Sequence, residues 1–160
     1  MSTLKDLGVP IFKAGGMPTV DRSAYVLSVG GLVKEARQWS WKEMMAMPNS
    51  RVNCRLISVS GWSVRADWEG IKWGDFLKQM FIQNGARYVR FTSVGENYTT
   101  AVALKDLENP RVLLACGVEG EPIEPEYGGP LRMVIPNLWG YKSCKWLAKI
   151  DFLDQMEDGY

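Results

Sequence analysis

The chain has 160 residues, 46% of them hydrophobic, and its 19 basic and 18 acidic side chains leave a formal net charge of +1. This length fits one domain that buries roughly 70% of the surface exposed by the unfolded chain. The balanced charge predicts neither nucleic acid nor an anionic membrane as a partner, so any anion site has to come from a few locally placed residues. No run approaches the roughly 18 apolar residues of a membrane span, and we expect a soluble protein.

Histidine is absent from the sequence. Enzymes that use an imidazole base or His-ligated zinc are therefore excluded, and any chemistry is expected to come from a cofactor. The three cysteines, Cys54, Cys116 and Cys144, are widely spaced and lack a CxxC pair, which argues against a disulfide framework and a structural zinc site. No signal peptide is recognisable, so we expect a cytoplasmic location, or a periplasmic one if a signal peptide has been removed.

The first third of the chain predicts an arm, two strands and a helix. Residues 1–22 lack periodicity and predict an extended N-terminal arm, followed by a single domain over residues 23–160. A strand is predicted over 24–29 and a second over 51–59, with Val52, Cys54, Leu56 and Ser58 on one face and Arg55 on the other. Between them, Ser40 and Glu43 predict a capping box for a short helix that Pro48 ends.

The remainder of the chain is predicted to be rich in strands. A second helix is expected from Asp75, with Gly85 as a left-handed cap, and Glu119-Gly120 is expected in a hairpin turn. Further strands are predicted over residues 86–93, 98–103, 112–118, 131–135 and 144–153. Few short helices in an irregular order predict an α+β domain with a mixed, mostly β sheet. A Rossmann fold is excluded because no GxGxxG follows a strand and opens a helix.

A series of motifs runs through the chain in a fixed order. They are Arg55-Leu56-Ile57-Ser58-Val59-Ser60-Gly61-Trp62-Ser63, Trp68-Glu69-Gly70, Tyr98-Thr99-Thr100, Leu113-Leu114-Ala115, Gly120-Glu121-Pro122-Ile123, Tyr127-Gly128-Gly129-Pro130-Leu131-Arg132 and Gly140-Tyr141-Lys142-Ser143-Cys144-Lys145-Trp146. Together, from about Asp21 to Leu153, they resemble the sulfite oxidase-like molybdopterin-binding domains. The resemblance implies the fold of that family and a pocket for the pyranopterin of a molybdenum cofactor. An unrelated β-rich ligand-binding domain would require all of these motifs to coincide by chance.

The resemblance also implies which residues would contact the cofactor. They are Arg55, Trp62, Ser93, Tyr127, Arg132, Lys142, Ser143, Cys144 and Lys145. The chemistry of several agrees with that role: Lys142 and Lys145 supply charge, Ser143 a hydroxyl donor, and Arg132 a planar fork for an anion. Each also has a plainer interpretation, since lysines often lie on a solvated edge and Cys144 is a small apolar residue. Tyr127 stands where many relatives have His or Asn.

Ser58 decides what chemistry follows from the resemblance. It stands where relatives carry the Cys that binds molybdenum, and a hydroxyl is a weaker ligand because it holds its proton far more tightly than a thiol. Cys54, four residues away and thus about 13 Å along the strand, is too distant to replace it. Two hypotheses remain: an oxygen-transfer oxidoreductase with Ser58 facing the metal, or a cofactor-free, catalytically silent binding module. The first implies a small anionic or sulfoxide substrate and a separate electron-transfer protein.

Overall fold

The computed structural model describes residues 20–57, 63–96, 98–138 and 142–156. Within them, strands outnumber helices and form two five-stranded sheets. Most of the predicted arm and the residues Ser58 and Trp62 lie outside the described residues. No helix of the described residues is long and apolar enough to span a membrane.

The first sheet joins the two ends of the described chain. Its strand order is β2-β1-β10-β5-β6. The bounds are β1 (Val26–Gly31), β2 (Arg37–Ser40), β5 (Tyr88–Ser93), β6 (Thr99–Ala103) and β10 (Leu147–Leu153). β1 and β10 are parallel, and the other pairs are antiparallel, so the sheet is mixed. Because β10 lies between β1 and β5, residues just before β10 are brought beside the end of β5.

The second sheet is built on a long hairpin. Its strands are β3 (Ser50–Ile57), β4 (Ser63–Lys72), β7 (Leu113–Val118), β8 (Glu121–Pro122) and β9 (Arg132–Val134). The order is β3-β4-β7, with β8 and β9 both pairing with β7. On β3 the predicted faces are confirmed: Val52, Cys54 and Leu56 are buried, whereas Arg51 and Arg55 are exposed.

Two predicted local features, a capping box and a hairpin turn, are confirmed in detail. Ser40 and Glu43 form the capping box of α1 (Trp41–Met45), because the Ser40 side chain accepts from the Glu43 amide and the Glu43 carboxylate accepts from the Ser40 amide. The β7–β8 hairpin closes through Glu119 and Gly120, whose φ angles of 51° and 82° match a turn that requires positive φ at both central residues.

The second predicted helix is much shorter than expected. α2 spans only Trp73–Leu77, and Gly85 does not take the left-handed conformation that a cap would need. The backbone beyond α2 finds other partners: Phe81 accepts from the Lys34 amide, and Ile82 forms a bridge with Val33. Phe81, which lies within the span of the predicted helix, is 66% exposed.

Three strands, β2, β4 and the two-residue β8, were not predicted. On β4, Val64, Ala66 and Trp68 are buried and alternate with less buried residues, which is the period of a strand. The alternation that indicates a strand was therefore present in the sequence, but no strand was predicted there. The prediction of an α+β, mostly β fold is nevertheless confirmed.

Two hydrophobic clusters form the core. One joins the sheets and contains Leu27 and Ile150 from the first with Leu114 and Met133 from the second. The other lies on the opposite face of the second sheet, where the buried face of the β3–β4 hairpin shares a cluster with Ile123, Tyr127 and residues of β7 and β9. β7 and β9 are therefore buried on both faces, and the turn at Tyr127 lies against the hairpin core.

Candidate functional site

A buried turn precedes β9. Residues Pro125–Tyr127 form one 3-10 turn that ends at Gly128, whose φ of 98° is open mainly to glycine. The chain then passes through Gly129 and a cis Pro130 to reach Arg132. We call residues 125–130 the buried turn, although Pro125 itself is exposed.

Arg132 is held by the backbone around it. It is only 5% exposed, and its guanidinium donates to the carbonyl oxygens of Tyr127, Met133 and Ser143 at 3.0, 3.1 and 3.3 Å. Its charge also lies over the ring of Trp68, 5.6 Å from the centroid. Burial lowers the pKa of Arg132 to about 10. The group is therefore fixed by uncharged partners.

The segment 143–146 lies against the buried turn. The Trp146 amide donates to the Gly128 carbonyl at 3.0 Å, and the indole Nε1 donates to the Pro125 carbonyl at 2.7 Å. The partly buried Lys145 has its ammonium 5.8 Å from the centroid of the Trp146 ring. Burial, and then the neighbouring charge of Arg132, lower the pKa of Lys145 to about 8.

Two predicted polar residues, Ser143 and Ser93, also lie near the segment 143–146. Ser143 is buried and its hydroxyl accepts from the Ile135 amide, while Ser93 is buried and accepts from the Tyr98 amide. Ser93 is in register with Leu147, two residues beyond Lys145. In both contacts the hydroxyl oxygen is the acceptor, so each hydroxyl can still donate its proton to a further partner.

The predicted site residues, Ser58 included, divide into those that the structure brings together, those that lie elsewhere, and those outside the described residues. The structure brings together Ser93, Tyr127, Arg132, Ser143, Cys144 and Lys145. Lys142 reaches the first sheet, where its ammonium donates to the Ala101 carbonyl at 3.0 Å. Arg55 lies on the exposed face of the hairpin and donates to the Ser63 hydroxyl at 2.8 Å, apart from this group. Ser58 and Trp62 lie outside the described residues.

Cys144 is not a reactive thiol in this arrangement. It is 1% exposed, and burial raises its pKa to about 12. Its Sγ lies 3.4 Å from the Lys145 carbonyl oxygen. The plainer interpretation of Cys144 as a small buried residue therefore describes its side chain, and a contact with a ligand would have to come from its backbone.

The site carries more positive charge than it neutralises. Among the residues that the structure describes, neither Arg132 nor Lys145 forms a salt bridge with a carboxylate. Two neighbouring cations, one buried and one partly buried, are costly without an anion, because burial disfavours the charged form. The donor set therefore fits a ligand with an anionic group such as a phosphate, which accepts from Arg and Lys.

Three residues matter to this site in ways that sequence reasoning missed. Trp68 and Trp146 were named only as parts of motifs. Both are buried, Trp68 lies under Arg132, and Trp146 anchors the segment 143–146. Gly128 was named only as part of the motif that runs from Tyr127 to Arg132. The available signal for a role of Gly128 was the presence of Arg132 and Lys145 in the neighbouring motifs, since cations near a Gly-Gly-Pro turn have to be positioned by it. Trp68 Nε1 is buried and has no hydrogen-bond partner among the residues that the structure describes.

Comparisons with known proteins agree with the family resemblance of the sequence motifs. Residues 14–160 match the family model of the oxidoreductase molybdopterin-binding domain. The chain is 34% identical over 154 residues to the uncharacterized oxidoreductase YuiH of Bacillus subtilis, covering 94% of this chain and 77% of that protein. It is 28% identical to the catalytic subunit MsrP, a protein-methionine-sulfoxide reductase of Xanthomonas axonopodis, covering 88% of this chain and 48% of that protein.

Two further similarities extend the comparison. The chain is 29% identical to the sulfite oxidase of Arabidopsis thaliana, covering 91% of this chain and 46% of that protein. In fold it is similar to the sulfane dehydrogenase SoxCD from Paracoccus pantotrophus, with a TM-score of 0.80 at 16% identity over 88% of this chain and 41% of that chain. The chain thus spans about half of these longer relatives. It belongs to the oxidoreductase molybdopterin-binding domain family, of the sulfite oxidase-like kind.

Proposed function

We propose that this chain binds the molybdenum cofactor and serves in oxygen-atom transfer. The single observation that carries the proposal is the pair of neighbouring cations, Arg132 and Lys145, without a carboxylate among the described residues. A pterin cofactor with a phosphate supplies the negative charge that this pair lacks. When bound, the cofactor supplies the two-electron oxygen transfer that the side chains of this protein do not.

In this proposal the two cations have different tasks. Arg132 is fixed by three carbonyl groups, so it offers its remaining N–H groups and its charge in one orientation. Lys145 is only partly buried and has a lowered pKa, so a bound anion favours its protonated form and raises that pKa. Ser93 and Ser143 add hydroxyl donors close by.

Ser58 is proposed to face the metal. It follows Leu56 by two residues in the sequence. Leu56 lies on the buried face of β3, which shares a hydrophobic cluster with Tyr127, and the Tyr127 carbonyl accepts from Arg132. That connection supports a location of residue 58 beside the cation pair. A serine oxygen is a harder and more weakly donating ligand than a thiolate, so the proposed metal site binds molybdenum mainly through the cofactor.

The substrate and the electron partner are further parts of the proposal. Relatives are named for methionine sulfoxide and for sulfite, so we propose a small anionic or sulfoxide-type substrate here. One relative is named as a catalytic subunit, which supports a separate electron-transfer protein as the partner.

A second candidate, a cofactor-free binding module on the same scaffold, is favoured by Ser58 alone. The two are separated by measuring molybdenum and pterin in the purified protein and in Ser58→Cys after expression in a host that makes the cofactor. We expect pterin near one equivalent in the parent and increased molybdenum retention in Ser58→Cys, since a thiolate is the softer ligand. Absence of both pterin and molybdenum from both folded proteins would support the binding module instead.

A further inference from the structure

The stem of Lys145 crosses the buried turn at Gly128. An ideal Cβ placed on Gly128 would lie 2.6 Å from the Lys145 Cγ, 2.7 Å from its Cβ and 3.1 Å from its Cα. Contacts this short would force either the backbone at residue 128 or the Lys145 side chain to move. The hydrogen that glycine carries in place of a side chain therefore creates the space that the lysine occupies.

Two hydrogen bonds hold the segment 143–146 over this space. Trp146 donates from its amide to Gly128 and from its indole to Pro125, so it fixes the segment at both ends of the 3-10 turn. Trp146 has a φ of 50°, an uncommon conformation for a large residue. Such a conformation persists only where surrounding contacts determine it, which indicates that the position of this segment is specified closely.

The same turn also holds the other cation, since the Tyr127 carbonyl accepts from Arg132 at 3.0 Å. The carbonyl that orients Arg132 therefore belongs to the peptide unit that joins Tyr127 to Gly128, the glycine that Lys145 crosses. The spacing between two like charges is then set by a single short turn. A ligand phosphate that bridges them would depend on that spacing.

We propose that Gly128 is a positioning residue, which determines where the Lys145 ammonium lies relative to Arg132 by leaving room for the lysine stem. This inference rests on the proposed cofactor site for its functional consequence. It assigns Gly128 no contact with the cofactor, and its effect passes through Lys145.

The chain offers a matched control for the strain of a positive φ. Gly120 has a φ of 82°, close to the 98° of Gly128, but a Cβ there would have no atom within 4 Å. Alanine at either position incurs the backbone cost of the left-handed region. Only alanine at 128 also displaces Lys145. A comparison of Gly128→Ala with Gly120→Ala therefore isolates the contact with the lysine.

The test has two readouts on the full chain. The pKa of Lys145 is measured in cofactor-free protein by NMR titration of labelled lysine side chains, with the resonance assigned from Lys145→Arg. We expect about 8 in the parent and in Gly120→Ala, and a return toward the usual 10.5 in Gly128→Ala. In protein from a cofactor-competent host, pterin per protein is expected to fall at least several-fold in Gly128→Ala and to stay at the parent level in Gly120→Ala.

The outcomes separate this inference from the proposed function. An unchanged Lys145 pKa in folded Gly128→Ala, or equal pterin loss in both alanine variants, would overturn the positioning role. Absence of pterin from the parent would overturn the proposed function and leave the pKa comparison to decide the role of Gly128. If Gly128→Ala does not fold, Trp146→Phe removes the indole bond to Pro125 and is expected to raise the Lys145 pKa in the same direction, and no change there contradicts the inference.

Discussion

Replacement of Lys145 by methionine is expected to stabilise the cofactor-free protein. Methionine keeps an unbranched stem across Gly128 but removes the charge that burial and Arg132 disfavour. The pKa of Lys145 falls from 10.5 to about 8 on folding, which at about 1.36 kcal/mol per pKa unit gives an upper bound of about 3 kcal/mol. Because Lys145 is only partly buried, water screens the charge, and we expect a gain of about 1 to 2 kcal/mol at pH 7.

The sign of the pH dependence follows from the same lowered pKa. Below about pH 8 the lysine is protonated in both the folded and the unfolded chain, so the full cost of the buried charge is present. Between about 8 and 10.5 the unfolded chain binds more protons, and the stability contributed by this group rises with pH. The advantage of Lys145→Met should therefore be constant below pH 8 and shrink as the pH rises above it.

Urea unfolding of cofactor-free parent and variant at a series of pH values measures this difference directly. Lys105→Met, at an exposed lysine, is the matched control and should change the free energy of unfolding by less than about 0.5 kcal/mol. A Lys145→Met protein that is less stable than the parent at pH 7, or an advantage that does not change with pH, would refute the reasoning. In cofactor-loaded protein the order should reverse, because the anion then stabilises the lysine.

Other substitutions test the surroundings of the cations. Arg132→Lys loses the planar fork that serves three carbonyl groups and should lower the free energy of unfolding by about 2 to 4 kcal/mol, whereas the exposed Arg87→Lys should have little effect. A loss below about 1 kcal/mol at position 132 would contradict the hydrogen bonds described. Trp68→Phe removes a buried N–H that has no partner within the described parts of the chain, and this gain of about 1 to 3 kcal/mol should largely offset the lost packing. A net loss above about 4 kcal/mol in the unfolding free energy would indicate that the indole N–H is satisfied in solution.

Local signals in the sequence predicted the local structure well. The capping box at Ser40, the turn at Gly120 and the alternation along β3 each depend on a few neighbouring residues, and the structure confirms all three. α2 was predicted too long because its apolar spacing is compatible with a helix, whereas Phe81 and Ile82 instead bond to the chain around Val33. That competing partner is 49 residues away from Ile82, so no local pattern could reveal it.

The candidate site was predictable in its parts but not in its assembly. The motifs that resemble the family named Arg132, Ser143 and Lys145, and the structure places them together. The exposed position of Arg55 follows from the strand alternation that was already evident. The crossing of Lys145 over Gly128 was not predictable, since it depends on two segments that meet only after the sheets are formed.

The most direct test of the central claim is a crystal structure of the protein purified from a host that makes the molybdenum cofactor. The account predicts a pterin cofactor with an anionic group in hydrogen-bonding distance of the Lys145 ammonium and beside the Arg132 guanidinium. Cofactor bound elsewhere on the chain, or full cofactor occupancy with both cations still lacking an anion, would contradict it.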